Sequence, residues 1–147
     1  MKLSTKSRYG LRAMLCLALS GQDRWVMTKE IAEMQGLPLT YLEQLMMSLR
    51  KAGLVSAIRG AHGGYMLARD ANMITLAEIV EALEGPLQIA DCSDVPSCCT
   101  ERADCALKEI FDNVNQVLYN AFAAISLADF ADRQRGKASA GTSMFFI

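Results

Sequence analysis

The sequence predicts a mostly α-helical fold with a small β-wing: a winged helix-turn-helix followed by a long C-terminal dimerisation helix. Three observations predict it. Two helical patterns lie either side of a Gly36-Leu37-Pro38-Leu39 turn. Two short strand patterns then flank Gly60-Ala61-His62-Gly63-Gly64, whose three glycines allow a tight, strongly bent tip. Finally, apolar residues recur at three- and four-residue spacing from Leu107 to Ile125, a length that in a small protein favours packing against a second copy.

The totals limit the alternatives. The chain has 147 residues and is 52% hydrophobic, enough for one domain with a real core and an appendage. No stretch is apolar for the roughly 18 residues that a membrane span needs. Arg12 interrupts the first apolar run and no small-residue cleavage site follows, so a secretory leader is not expected. Five cysteines, four of them in one short segment, do not make a disulfide scaffold at this length. The cytoplasm is the expected compartment, and there clustered cysteines bind metal or switch redox state. The formal net charge of −1 hides an asymmetry. Residues 1–69 carry ten Lys and Arg against four Asp and Glu, whereas residues 70–147 carry five against twelve. A basic first half is the footprint of a phosphate-facing surface, although a solvated face could show the same imbalance.

Each element has its own signal. Ser4 or Thr5 can cap a first helix running to about Ser20, apolar all round at Ala13–Leu19 and therefore buried on several sides. Cys16 in this run reads as a small buried hydrophobe. Lys2, Lys6, Arg8 and Arg12 crowd its N-terminal end, where they can face phosphate. Gly21 to Val26 reads as a loop. Thr28 is expected to cap a short helix that Gly36 ends in a left-handed conformation. Thr40-Tyr41-Leu42-Glu43 has the pattern of a capping box opening the next helix. Leu42, Leu45, Met46, Leu49 and Ala52 form its core stripe and Gly53 closes it.

That helix is the candidate reader of DNA. Tyr41, Gln44, Ser48 and Lys51 share a polar stripe, with Glu43, Met47 and Arg50 beside it. Gln can pair bidentately with adenine, and Tyr, Ser and Lys suit phosphates. Leu54–Arg59 and Tyr65–Ala68 are expected as the wing strands, with Arg59 at the base of the tip, suited to a narrow minor groove. Thr28, Tyr41, Glu43, Gln44, Ser48, Lys51, Arg59 and Gly60 are the candidate DNA-binding residues. Thr75-Leu76-Ala77-Glu78 is a second capping box, opening a helix that Gly85-Pro86 stops. The expected division is a DNA-binding domain over 1–84, a cysteine-rich loop over 85–104, a dimerisation helix over 105–130 and a flexible tail over 131–147.

Cys92, Cys98, Cys99 and Cys105 are spaced C-x5-C-C-x5-C. Thiolates suit iron and zinc, but the C-x2-C knuckles of structural zinc sites are absent. From the residues alone a metal cluster, a thiol redox switch and inert cysteines all stay open. Cys105, opening the long helix, gains from that helix's positive end.

The chain resembles the IscR-like family of iron–sulfur winged helix-turn-helix transcription regulators over roughly residues 1–130. The resemblance rests on Lys2–Tyr9, on Tyr41-Leu42-Glu43-Gln44-Leu45 with Leu49–Val55, on Arg59-Gly60 through Gly63-Gly64-Tyr65, and on the cysteine segment. It implies a homodimer on an imperfect palindrome of double-stranded DNA, with Tyr41, Glu43 and Gln44 on the recognition helix and Arg59 in the minor groove. It also implies an iron–sulfur cluster of the 2Fe-2S type held by three cysteines, here Cys92, Cys99 and Cys105, with Cys98 as alternate or fourth ligand. The family's histidine ligand, three residues past the last cysteine, is Lys108 here, and the acidic helix-1 residue of some relatives falls where this chain has Arg8. The family's wing proline and glycine are replaced by Ala61 and His62. Two rival classes, an iron–sulfur electron carrier and a winged-helix module that binds only protein, lack a nucleotide-binding fingerprint in the first case and fit the basic first half poorly in the second.

Overall fold

A computed structural model describes residues 2–89 and 105–143. Six helices and one hairpin follow in the order α1 (Thr5–Ser20), α2 (Thr28–Gln35), α3 (Leu39–Lys51), β1 (Val55–Ile58), β2 (Gly64–Leu67), α4 (Leu76–Glu84), α5 (Ala106–Ala123) and α6 (Leu127–Ser143). The central helix is α1, which packs against α2, α3, α4 and α6. Its side chains Met14 and Leu17 meet Ile31 of α2, Leu42, Leu45, Met46 and Leu49 of α3, Ile79 of α4 and Leu127 of α6 in one core. Burying each such side chain contributes about 1.5–3 kcal/mol. Gly10 lets α4 approach, since a Cβ there would lie 2.1 Å from Leu83 Cδ1.

Helix ends follow local chemistry. Ser4 caps α1, its Oγ accepting from Ser7 N at 3.2 Å, while its own N–H donates to Glu84 Oε1 at 2.9 Å. That clasp joins the start of α1 to the end of α4 and, through the Ser4 hydroxyl first, holds the Glu84 carboxyl below its ordinary pKa. The Thr75–Glu78 capping box of α4 forms in full. Two expected caps do not form. The N-cap of α2 is Met27, making Thr28 its first helical residue. The N-cap of α3 is Pro38, one residue before Leu39, so Thr40 lies inside the first turn and its capping box with Glu43 is absent. Proline's fixed φ near −65° already suits entry into a helix, so α3 begins before Thr40 is reached.

The wing is more than a hairpin. β1 and β2 pair antiparallel from Val55↔Leu67 to Ile58↔Gly64. Val26, in the segment expected to be a loop, bridges to Tyr65 through Val26 N→Tyr65 O (2.9 Å) and Tyr65 N→Val26 O (2.8 Å). Gly64 permits this approach, because a Cβ there would fall 2.4 Å from Val26 O.

The C-terminal region also differs from the single helix expected over 105–130. The chain turns at 124–126, and α6 continues to Ser143, into the segment expected to be a flexible tail over 131–147, whose last four residues lie outside the described residues. At the corner Thr75 and Ser126 form a bridge, with Leu76 N→Ile125 O at 3.0 Å and Leu127 N→Ile74 O at 2.7 Å. Leu127 is then fully buried against the core, so α6 belongs to the DNA-binding domain's packing as well. Among the described residues none of α5 is buried, and Leu107, Ile110, Val114 and Val117 form an exposed apolar stripe along it. None of the described helices is long and apolar enough to cross a membrane.

Candidate DNA-reading face and cysteine segment

The reader is fixed to the scaffold from behind. Gly36, at φ 63°, turns the chain out of α2, with Gly36 N→Glu33 O at 3.3 Å and Leu37 N→Ala32 O at 2.9 Å. Helix α3 leaves from Pro38 with Leu42, Leu45, Met46 and Leu49 buried; Ala52, expected in the same stripe, is exposed because it caps the helix beyond its packed turns. Arg12, which the sequence placed among the phosphate-facing cations, instead donates to Gln35 Oε1 at 2.9 Å and Gln35 O at 3.2 Å. The last carbonyls of a helix are unsatisfied and carry partial negative charge, so a neighbouring guanidinium settles there. The same guanidinium lies 6.0 Å over the Tyr9 ring, and Tyr9 meets Tyr41 edge-to-face with centroids 6.0 Å apart. Arg12, Tyr9 and Tyr41 thus tie α1, α2 and α3 together.

The predicted polar stripe is only partly outward. Tyr41 and Ser48 are half-buried, and the Ser48 hydroxyl turns back toward Gln44 O at 3.4 Å, a long and weak contact. Thr40, Glu43, Gln44, Met47, Arg50 and Lys51 are exposed. The outward face therefore centres on Glu43, Gln44 and Met47. Thr28, at the start of α2, is half-buried.

The wing projects beside this face. Gly63 N→Gly60 O at 3.0 Å closes its tip, and Gly60 holds φ 117°, which L side chains rarely adopt. Arg59, Gly60 and His62 are exposed. Lys2, Lys6 and Arg8 are exposed at the start of α1, with Arg8 also donating to Thr5 Oγ1 at 3.2 Å.

Of the sequence-predicted cluster ligands, Cys105 alone is described: it is half-buried and forms the N-cap position of α5. Cys92, Cys98 and Cys99 lie outside the described residues. Lys108, at the family's histidine position, forms an ion pair with Asp112 at 2.6 Å. Cys16 is buried in α1, and burial raises its thiol pKa, as expected of a core residue. Among the described residues no group of three or more His, Cys, Asp or Glu side chains comes together as a metal site.

Comparison with known proteins identifies this arrangement. The family described as "Rrf2: Iron-dependent Transcriptional regulator" matches residues 3–133. The chain belongs to the Rrf2 family of transcriptional regulators. It is 40% identical over 129 residues to the protein rrf2 of Nitratidesulfovibrio vulgaris, covering 88% of this chain and 86% of that one. It is 37% identical over 135 residues to the HTH-type transcriptional regulator IscR of Xenorhabdus nematophila, covering 91% and 81%. Among solved structures, CymR (YrzC), the global cysteine regulator of B. subtilis, superposes with a TM-score of 0.75 at 36% identity, covering 90% of this chain and 98% of that one. IscR of T. potens superposes with a TM-score of 0.71 at 38% identity, covering 91% and 88%.

These relatives are regulators and not enzymes, so this Rrf2 chain is a transcription regulator with the winged-helix architecture expected from its sequence. The family match spans α3, the wing, the cysteine segment and α5, and ends within α6. Val26 and Ser126 were not singled out from sequence, and no local pattern marked them; Met47 was placed only beside the polar stripe.

Proposed function

We propose that this Rrf2 chain is a cytoplasmic homodimer that reads two half-sites of an imperfect DNA palindrome, and that an iron–sulfur cluster sets its affinity or site preference. One observation carries the reading: an apolar stripe from Leu107 to Val117, exposed in the single chain, lies on α5, which starts directly after Cys105 and ends at the corner hydrogen-bonded to the start of α4. A second copy would bury this stripe, and reading two adjacent half-sites requires two α3 helices about 34 Å apart, one helical turn of DNA. Cys92, Cys99 and Cys105 would hold the cluster, with Cys98 as alternate or fourth ligand. Their thiolate chemistry fits iron, and Cys105 sits at the positive end of α5, which favours an anionic ligand. When bound, the cluster would cross-link the cysteines of the segment leading into α5; its loss would remove that cross-link, and its reduction would change the local charge. This chain's own residues then carry the effect: the bridge between Ser126 and Thr75 couples α5 to α4, and the Arg69–Glu78 ion pair (2.7 Å) links α4 to the chain just beyond β2.

The test is anaerobic purification followed by visible absorption, iron and sulfide assays, and light scattering on one sample. Brown dimeric protein with bound iron and sulfide is expected, its colour lost in Cys105→Ala and kept in Cys98→Ala. Colourless protein that cannot be reconstituted yet binds DNA would overturn cluster control. A second reading, a thiol switch using the same cysteines, is favoured by the structural likeness to CymR, a cysteine regulator whose S. aureus counterpart is 34% identical and was solved in an oxidised form. It requires DNA affinity to change on thiol oxidation and recover on reduction, without iron.

A further inference from the structure

One residue on the outward face of α3 fits neither a phosphate contact nor a solvated surface. Met47 is 56% exposed, as exposed as Leu107 of the α5 stripe. It lies three residues beyond Gln44 and four beyond Glu43, so the three side chains form one contiguous patch on the helix surface. Behind that patch, Leu45, Met46 and Leu49 are fully buried, so the core is complete without Met47. One turn further along the helix stand the exposed cations Arg50 and Lys51. A patch that pairs polar groups with one thioether, bordered by cations, matches a base-pair edge next to phosphates.

We propose that Met47 is a specificity-determining residue that recognises thymine, packing its thioether against the C5-methyl in the major groove beside the base edge met by Glu43 or Gln44. The inference rests on the DNA-reading function proposed above and gives that face a preference the polar residues alone would not have. The C5-methyl is the apolar group that the major-groove edge offers, and thymine carries it. Methionine's unbranched, polarisable side chain adapts to such a contact without a fixed rotamer. One helical turn spans about 5.4 Å and one base step about 3.4 Å, so the thymine lies within about two steps of the base met by Glu43 or Gln44.

The experiment begins with the full-length protein and a random-sequence duplex library. Selected duplexes are resynthesised with deoxyuridine replacing thymidine at one position at a time, which removes the methyl and leaves the hydrogen-bonding edge unchanged. Removing one buried methyl is expected to weaken binding by about four-fold, and by roughly fifteen-fold when both half-sites are changed. In Met47→Ala the same duplexes are expected to bind with and without the methyl equally well, because the contact is already gone. Met47 is exposed, so this variant is expected to fold normally, and an unchanged thermal midpoint checks it. Leu39→Ala is the comparison, since Leu39 is 44% exposed on the same helix. A methyl effect that persists in Met47→Ala, that disappears in Leu39→Ala instead, or that is absent at every position overturns this inference while leaving DNA reading intact. A library that yields no preferred sequence overturns the DNA-reading proposal itself.

Discussion

Gly64→Ala tests whether the wing is held by the chain segment before α2. A Cβ at residue 64 would lie 2.4 Å from Val26 O, 2.7 Å from Val26 C and 3.0 Å from Met27 N. All three are backbone atoms, so no flexible side chain can swing aside. Relief to ordinary contact requires a shift of roughly 1 Å. The Val26 side chain is fully buried, so its strand cannot retreat, and β2 has to move outward. That movement breaks the two Val26–Tyr65 hydrogen bonds, each worth about 1 kcal/mol net. Overpacking adds about 1–3 kcal/mol, and the reduced freedom of the unfolded chain returns about 0.4–1 kcal/mol. The balance is a loss of about 2–4 kcal/mol. In urea unfolding at fixed protein concentration this lowers the midpoint by about 1–2 M. Gly136→Ala is the control: nothing lies within 4 Å of its Cβ and the helix there is exposed, so a gain of up to about 1 kcal/mol is expected. Stability of Gly64→Ala within about 0.5 kcal/mol of the parent protein would refute the reasoning.

Three further outcomes follow from other regions. Val117→Glu, placing a charge at the most exposed position of the α5 stripe (69%), is expected to give a monomer by light scattering and to weaken palindromic DNA binding more than ten-fold; an unchanged dimer would remove α5 as the interface. Glu78 provides a pH signature. Burial raises its carboxyl pKa, but the hydrogen bond from Arg69, the Thr75 backbone and the Arg69 charge lower it more, leaving it below the ordinary 4.5. Its contribution is therefore complete above pH 4.5 and is lost as pH falls through the lower folded value. Glu78→Gln should flatten the acid side of the stability curve, and identical acid slopes would count against the pair. Glu43→Ala should broaden the set of duplexes recovered from a random library, because an exposed carboxylate is repelled by phosphate unless it meets a base donor such as cytosine N4.

Local chemistry determined which helix ends could be read from sequence. Gly36, Thr75 with Glu78, and Gly85 act on groups within four residues, and each ends or starts its helix where the pattern places it. Thr40 and Glu43 show the same pattern as Thr75 and Glu78, yet they form no cap. The difference is Pro38, which starts α3 early enough that the Thr40 N–H already lies in the helix's first turn. Arg12 failed for a different reason. Its nearest competing acceptor, Gln35, is 23 residues away in sequence, and only the packing of α1 on α2 brings the two together. Val26 is similar, being joined to Tyr65 across the whole helix-turn-helix. For the candidate site, residue types and spacing located α3 and the wing. They did not give the partial burial of Tyr41, which meets Tyr9 of α1 edge-to-face.

The division between α5 and α6 shows how one apolar periodicity can serve two purposes. The repeat from Leu107 to Ile125 predicts one helix, expected over 105–130, but burial separates its two ends. Leu107, Ile110 and Val117 are more than half exposed, whereas Leu127 is fully buried and Ala131 nearly so. The change occurs where Ser126 bridges to Thr75 and Asp129 accepts from Ser126 N at 3.0 Å, with the Ser126 hydroxyl accepting in return from Asp129 N. This reciprocal pair restarts the helix at a new angle and holds the Asp129 carboxyl below its usual pKa, chiefly through the Ser126 backbone. A straight helix would carry Leu127 away from α1 and leave the core open beside Met14 and Leu17. The corner therefore separates two apolar surfaces, so that the fold is closed by α6 while the α5 stripe is left exposed. By this division the proposed contact through α5 could be lost or changed without unfolding the winged helix.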